Sequence, residues 1–263
     1  MSVSIHPTAI IHENAKIGTD VEIGAYSCIG ADVIIHDHVK IHSHVVVDSH
    51  TEIGAGTEIF PFAVLGQAPQ HLRFEGEASK LIIGERNIIR EHVTMHRGTA
   101  IGAMETIVGN DGFFMVGTHI AHDCIVGDGV IMANGVGLGG HVEIGNHVVM
   151  GAYSAVHQFV RIGDYTMIGG KATILGDVIP FAVVTGERAH LSGLNLIGLK
   201  RRGFDKDTIS ALRGAYRDLF EGEGTFDDRL SALNADAQDE VVQKLLDFIA
   251  NNSDRPLCHP EQT

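Results

Sequence analysis

The chain is poor in the residues that cross-link or interrupt a fold. Its three cysteines, Cys28, Cys124 and Cys258, are odd in number and scattered, which excludes a disulfide framework and fits reduced thiols in a cytosolic protein. Six prolines and no low-complexity tract interrupt 263 residues that are 44% hydrophobic. Disorder is therefore excluded, and one large domain or two ordinary ones are expected. Met1 to Ile10 has neither a basic start nor an apolar run, so no secretory signal is expected. No stretch approaches eighteen uninterrupted apolar residues, so no transmembrane segment is expected either. Positive charge is scarce: the net charge is −14, which argues against general affinity for nucleic acid or an anionic membrane.

What the chain has instead is a period of six. Ile5, Ile11, Ile17, Ile23, Ile29, Ile35, Ile41, Val47, Ile53, Ile59 and Leu65 are all aliphatic, with Gly often following. Four places after each anchor the residue is small or β-branched, as at Ala9, Val21, Ser27, Val33 and Ala63. A helix would need recurrence near 3.6 and an ordinary strand near 2. A period of six marks hexapeptide repeats stacked as a parallel β-helix. Each hexad supplies a short strand and a corner, and sends one large and one small side chain into a narrow bore.

The ladder breaks after Leu65, resumes in phase at Ile83, Ile89 and Met95, and breaks again near Arg97 to Thr106 with a one-residue phase shift. It then runs from Val108 through Ile120, Val126, Leu138 and Ile162 to Ile174. Residues 1–191 are thus expected to form the β-helix, with loop insertions near 66–81 and 97–107. Three hexads per coil would give about ten coils and a rod nearly 50 Å long, at about 4.8 Å per coil. From Ser192 helical patterns take over. Asp205 caps a helix carrying Ile209, Leu212, Tyr216, Leu219 and Phe220, Thr225 starts a second, and Val241 to Ile249 fit a third. Residues 192–263 are read as a helical domain that covers the open end of the rod, with a loose tail after Asn251.

Most of the seventeen histidines, such as His36, His38, His42, His44 and His50, fall at outward or corner positions and read as solvated surface. Thr118-His119-Ile120-Ala121-His122-Asp123 differs, because stacking by eighteen places Gly140 over His122 with His141 one residue on. His157 stacks over Gly139 and Ala121, so His122, Gly140, His141 and His157 share one edge of the rod. A neutral histidine beside a carboxylate is suited to general-base work; a row of surface histidines and a zinc site are the other readings of the same spacing. Cys124 reads as a packed small residue. The run Lys200-Arg201-Arg202, extended by Lys206, Arg213 and Arg217, reads as a solvated turn or as anion recognition, of a diphosphate or an acidic carrier protein.

These segments resemble a known family. Ile89-Arg90-Glu91, His96-Arg97-Gly98-Thr99, His119-Ile120-Ala121-His122-Asp123, Gly140-His141, His157-Gln158-Phe159 and Gly198-Leu199-Lys200-Arg201-Arg202-Gly203-Phe204, in this order and with both insertions, are similar to the UDP-N-acetylglucosamine 3-O-acyltransferases. Those acyl-carrier-protein-dependent enzymes begin lipid A synthesis. The resemblance runs to about Leu219 and implies three hexads per coil, left-handed winding and a cytoplasmic homotrimer with active sites between neighbouring rods. It implies His122 as general base, Asp123 orienting it and the Gly140 N–H as oxyanion donor. It further implies substrate contacts at Gln70, His71, Arg73, His119, His141, His157 and Gln158. Nucleotide and phosphate contacts would fall at Asn195, Arg201 and Arg202, and an acyl groove at Gly170 and Lys171. No bound cofactor and no metal are implied; acyl-[acyl carrier protein] is the co-substrate and UDP-GlcNAc or its 3-amino analogue the acceptor.

Three departures stand out. Pro69-Gln70-His71-Leu72-Arg73 stands where the family commonly has Asn-Gln-Asp-Leu-Lys, which bears on the choice between a 3-hydroxyl and a 3-amino acceptor. Ile197 replaces a Glu, and Lys171 lies beside the chain-length position Gly170. The alternatives are a coenzyme A-dependent sugar acetyltransferase on the same fold and a non-enzymatic β-helix scaffold.

Overall fold

Strands of two to four residues, most of them two, repeat from Ser4 to Ile174 with tight turns between most of them. The structure, a computed structural model, describes residues 3–236, 239–251 and 253–261. Ser4 pairs with Glu22 and Ile5 with Ile23, then Glu22 with Lys40 and Ile23 with Ile41. Each pairing steps eighteen residues, so three hexads make one coil of a parallel β-helix. Among the described residues the strands form three sheets, of eleven, nine and eight strands.

The second residue of each strand points inward, and the ladder fills the bore: Ile23, Ile41, Ile59, Ile89, Phe114, Met132, Met150 and Ile168 are all buried along the first sheet. The small members of the repeat, Val21, Val33, Val39, Val45 and Ala63, are buried with them. Short side chains there let the backbone turn without leaving the core hollow. At Phe114 the bore takes a ring because Gly112 makes room. A Cβ on Gly112 would lie 2.6 Å from the Phe114 ring. Corner residues take left-handed backbone angles, as at Asp20, His44 and Tyr153, so that conformation is a feature of the coil and no pointer to function.

The two insertions leave the rod side by side. The first lies between strands Val64–Gln67 and Lys80–Ile83, the second between Thr94–His96 and Glu105–Val108. Arg97 N donates to the Gln67 carbonyl and Gly98 N to the Lys80 carbonyl, each at 3.2 Å.

At the far end, strand Ala182–Thr185 turns into the antiparallel strand His190–Leu194, which carries the sheet three residues beyond the expected boundary at 191. Helices α1 (Leu196–Arg201), α2 (Lys206–Glu221), α3 (Phe226–Asp236) and α4 (Glu240–Ala250) follow. Asp205 caps α2, accepting from Thr208 N at 2.8 Å, and Thr225 and Asp228 cap α3 reciprocally. Helix α4 docks on the last coils through Lys244 with Asp164 and through Arg161, which bonds the Asn251 carbonyl (3.0 Å) and the Asp177 carboxylate (2.8 Å). No helix among the described residues is long and apolar enough to cross a membrane.

The tail departs from its expected looseness. Residues 253–261 lie on the rod: Cys258 N donates to the Asp177 carbonyl (2.7 Å), Asp177 N to Pro256, and Leu191 N to His259. The last coil exposes backbone groups that need partners, and the tail supplies them.

Filling the bore should dominate stability. Phe114→Ala is expected to cost about 3–5 kcal/mol, whereas Tyr153→Ala, at a corner ring 68% exposed, should change stability by no more than about 0.5 kcal/mol. Urea unfolding of both variants checks this, and equal shifts would contradict the packing.

Candidate active site

Register builds the site. Ile120 pairs with Leu138 and His141 N donates to the His122 carbonyl at 3.0 Å, so Gly140 lies over His122 as the spacing predicts. The His122 ring rests directly on it: a Cβ on Gly140 would lie 2.5 Å from His122 Cε1 and 2.8 Å from Nε2. Glycine is therefore required for the ring to lie there.

Asp123 Oδ2 sits 2.8 Å from His122 Nδ1. The carboxylate also accepts from the Thr99 N–H (3.0 Å) and hydroxyl (2.6 Å), while Asp123 N donates to the Thr106 hydroxyl. Its side chain is 1% exposed and that of His122 is 11% exposed. Burial opposes ionisation of Asp123, but the hydrogen bonds from His122 and Thr99 outweigh it and hold the carboxyl below its usual range. An ionised Asp123 can only accept, so His122 carries its proton on Nδ1 and leaves the Nε2 lone pair free. Among the described residues no protein group accepts from the Gly140 N–H beside it.

Other rings close around this pair. His71, from the first insertion, meets His122 edge-on with centroids 5.1 Å apart, and His141 meets it from the other side at 5.2 Å. His141 stacks on Phe159 at 4.5 Å. Its charged form is disfavoured by burial, which outweighs the pull of Asp123, with His122 and His71 acting in the same sense as burial. His119 bonds the Thr94 hydroxyl (2.8 Å) and meets the buried His96 edge-on at 4.9 Å. Burial, then the neighbouring His119 and His122, pushes His96 down to about 4. A cavity of about 450 Å³ adjoins Asp123, His141 and Phe159, walled by Arg161, Ser253 and Asp254.

The remaining expected positions are spread along one protomer. His157 and Gln158 are exposed on the same edge, while Gln70 and Arg73 are exposed on the first insertion. Asn195 and Arg201 line a separate, largely apolar groove of about 620 Å³ with Val149, Met167 and Ile197. The Asn195 side chain is already engaged, capping α1 through Gly198 N and donating to the Tyr165 carbonyl. Arg202 lies over the Tyr165 ring. Gly170 and Lys171 are exposed at a corner, away from the His122 group. His122, Asp123 and His141 offer ligand atoms within 4.8 Å of one another and are the one group among the described residues able to hold a metal. Within that group Asp123 already accepts hydrogen bonds from His122 and Thr99.

The roles of Thr99, Thr106 and Gly102 around Asp123 escaped the sequence reading. A Cβ on Gly102 would overlap the Asp123 carboxylate. All three lie in or beside the phase-shifting second insertion, where the repeat gives no register.

Comparison with known proteins decides the family. Over 205 residues the chain is 57% identical to the acyl-[acyl-carrier-protein]–UDP-N-acetylglucosamine O-acyltransferase of Caulobacter vibrioides, covering 78% of each chain. The chain belongs to this family. The homologous O-acyltransferase of Azorhizobium caulinodans is 54% identical over 206 residues, 78% of this chain and 76% of its own. A family model described as UDP N-acetylglucosamine O-acyltransferase, domain 2, matches residues 177–258. The solved UDP-N-acetylglucosamine O-acyltransferase of Moraxella catarrhalis superposes with a TM-score of 0.94 at 44% identity, covering 97% of this chain and 99% of its own. The fold is the family's left-handed parallel β-helix with appended helices, and the protein is an acyltransferase.

Two outcomes follow for the site. Gly140→Ala and Gly102→Ala should each lower acyltransfer at least about tenfold with the fold intact, by displacing the His122 ring and the Asp123 carboxylate; steady-state kinetics beside thermal melting test this. The lowered His96 also makes a pH statement. Above pH 6.5 it is neutral folded and unfolded; as pH falls from 6.5 toward about 4, only the unfolded chain gains the proton and stability is lost. In His96→Gln the decline over that window should be shallower, as read from urea midpoints.

Proposed function

We propose that this acyltransferase moves a 3-hydroxyacyl chain from acyl carrier protein to the 3-position of the glucosamine unit of UDP-N-acetylglucosamine, opening lipid A synthesis. The observation that carries the reading is the Asp123–His122 pair, whose free Nε2 lies beside the unclaimed Gly140 N–H. The relatives' names supply the donor and acceptor.

In this mechanism His122 Nε2 takes the proton of the sugar hydroxyl as its oxygen attacks the thioester carbonyl. Asp123, held ionised by Thr99, stabilises the imidazolium. The Gly140 N–H donates to the oxyanion of the tetrahedral intermediate. Its collapse breaks the C–S bond, and His122 returns the proton to the departing thiolate. No acyl-enzyme forms and no metal is required. His71, His119, His141, His157, Gln158, Gln70 and Arg73 form the substrate surface. Asn195 and Arg201 line a separate groove of the same rod, and in a cytoplasmic homotrimer a neighbouring rod supplies them, with Arg202, to the His122 site. Gly170 and Lys171 lie along the acyl groove.

One observation favours a second acceptor. His71 presents an imidazole beside the base where the family commonly has a carboxylate, which suits a neutral 3-amino group as well as a hydroxyl.

The test supplies 3-hydroxyacyl-acyl carrier protein with UDP-GlcNAc or its 3-amino analogue and reads products by mass spectrometry. Ester supports the first reading and amide alone the second. Transfer from acetyl-coenzyme A instead would establish the rival acetyltransferase, and loss of activity with chelator would establish a metal. His122→Ala should lower kcat by about 10²–10⁴ in a folded protein; an unchanged rate removes the base assignment. Arg201→Ala should raise KM with reduced salt sensitivity.

A further inference from the structure

The first insertion brings His71 to the catalytic ring, yet it holds itself in place poorly. Its internal hydrogen bonds are local: His71 N to the Pro69 carbonyl (2.8 Å), Phe74 N to the His71 carbonyl (3.0 Å) and Glu75 N to the Glu77 carboxylate (3.0 Å). Leu72 is fully exposed and Arg73 is exposed beside it. No strand pairing restrains residues 68–79. A segment so fastened opens at small cost, unless something on the rod grips it.

Arg97 is that grip. It leaves the end of strand Thr94–His96, and its backbone N–H already ties the near foot of the loop at the Gln67 carbonyl. Its guanidinium reaches the far foot, with Nη1 in a long 3.5 Å hydrogen bond to the Ser79 carbonyl. The same guanidinium lies 5.7 Å from the centroid of the Phe74 ring, a cation–π contact to the middle of the loop. One residue thus holds the loop on both sides of the exposed Leu72–Arg73 stretch, by its backbone N–H at Gln67 before it and by its side chain at Phe74 and Ser79 after it. The foot is a costly place for a cation: Arg97 Nε and Ser79 Oγ are both buried without partners. Packing alone would be served by an apolar residue.

We propose that Arg97 is a positioning residue that clamps the 68–79 loop and so sets His71 against His122. The inference rests on the reading of His71 as part of the acceptor surface, and it adds the group that holds it there. Arg97 itself does not touch His122; it acts through Phe74 and the Ser79 carbonyl.

Limited trypsin digestion tests the clamp apart from activity, because Arg73 offers an exposed cleavage site inside the loop. In Arg97→Ala, cleavage after Arg73 should rise about tenfold while the melting temperature of the rod stays near that of the parent. KM for the acceptor sugar should rise several-fold more than kcat falls. Arg97→Lys, which keeps the charge over Phe74, should restore most of the protection. Phe74→Ala should loosen the loop similarly, with the double variant no worse than additive. His71→Ala should change kinetics and leave cleavage as in the parent. Unchanged cleavage and acceptor KM in a folded Arg97→Ala would overturn the clamp. Increased cleavage with unchanged acceptor KM would also overturn its positioning role, and would show that the loop does not serve the acceptor site.

Discussion

Everything in this molecule depends on the inward stacking of one large aliphatic or aromatic side chain per hexad. That packing fixes a step of eighteen residues per coil, and the step turns a linear sequence into a set of vertical columns. His122 rests on Gly140 because Ile120 rests on Leu138. Asp123 comes within reach of His141 for the same reason. The geometry of the candidate site is inherited from the core, since the stacked coils bring the two turns together and hold the His122 and His141 rings 5.2 Å apart.

The repeat explains what was legible. The strands and the positions of both insertions follow from phase, and so does the His122–Gly140–His141 edge once the resemblance supplies three hexads per coil, because a core that tolerates one register leaves each residue's height on the rod determined. Helices α2 and α3 were legible instead from their capping residues and helical spacing. Where phase fails, so does the reading. Thr99 and Gly102 complete the Asp123 site from an insertion that lengthens its coil by seven residues, one more than a whole hexad, so no periodicity relates them to Asp123; Thr106 joins them from the strand in which the register resumes. The tail after Asn251 lacks hydrophobic pattern and read as loose, yet it binds the rod through backbone groups, which sequence composition does not display. Asn195 read as a ligand residue and turns out to serve α1 as a cap first.

The two insertions divide the work of the site. The second supplies Thr99 and the space at Gly102, and so governs the charge state and orientation of Asp123 from behind. The first supplies His71 at the front, where an acceptor would arrive. Around Asp123 the rear is buried and held by hydrogen bonds from Thr99; the front is more exposed and lightly held. Such an arrangement keeps the Asp123–His122 pair rigid and leaves adaptability to the outer loop.

The two ends of the rod are unlike. At one, strand His190–Leu194 and the tail occupy the last coil; at the other, Ser4–Ile5 and Ile10–Ile11 are paired on one side only among the described residues, and Ile5 and Ile10 are 44% and 67% exposed. A stack of near-identical layers in which each contacts only its neighbours melts from whichever face is bare. The structure therefore has a direction of fraying, from the N-terminal coil inward. The layers that hold His122 and His141 lie several coils in from that bare face and are late to feel it.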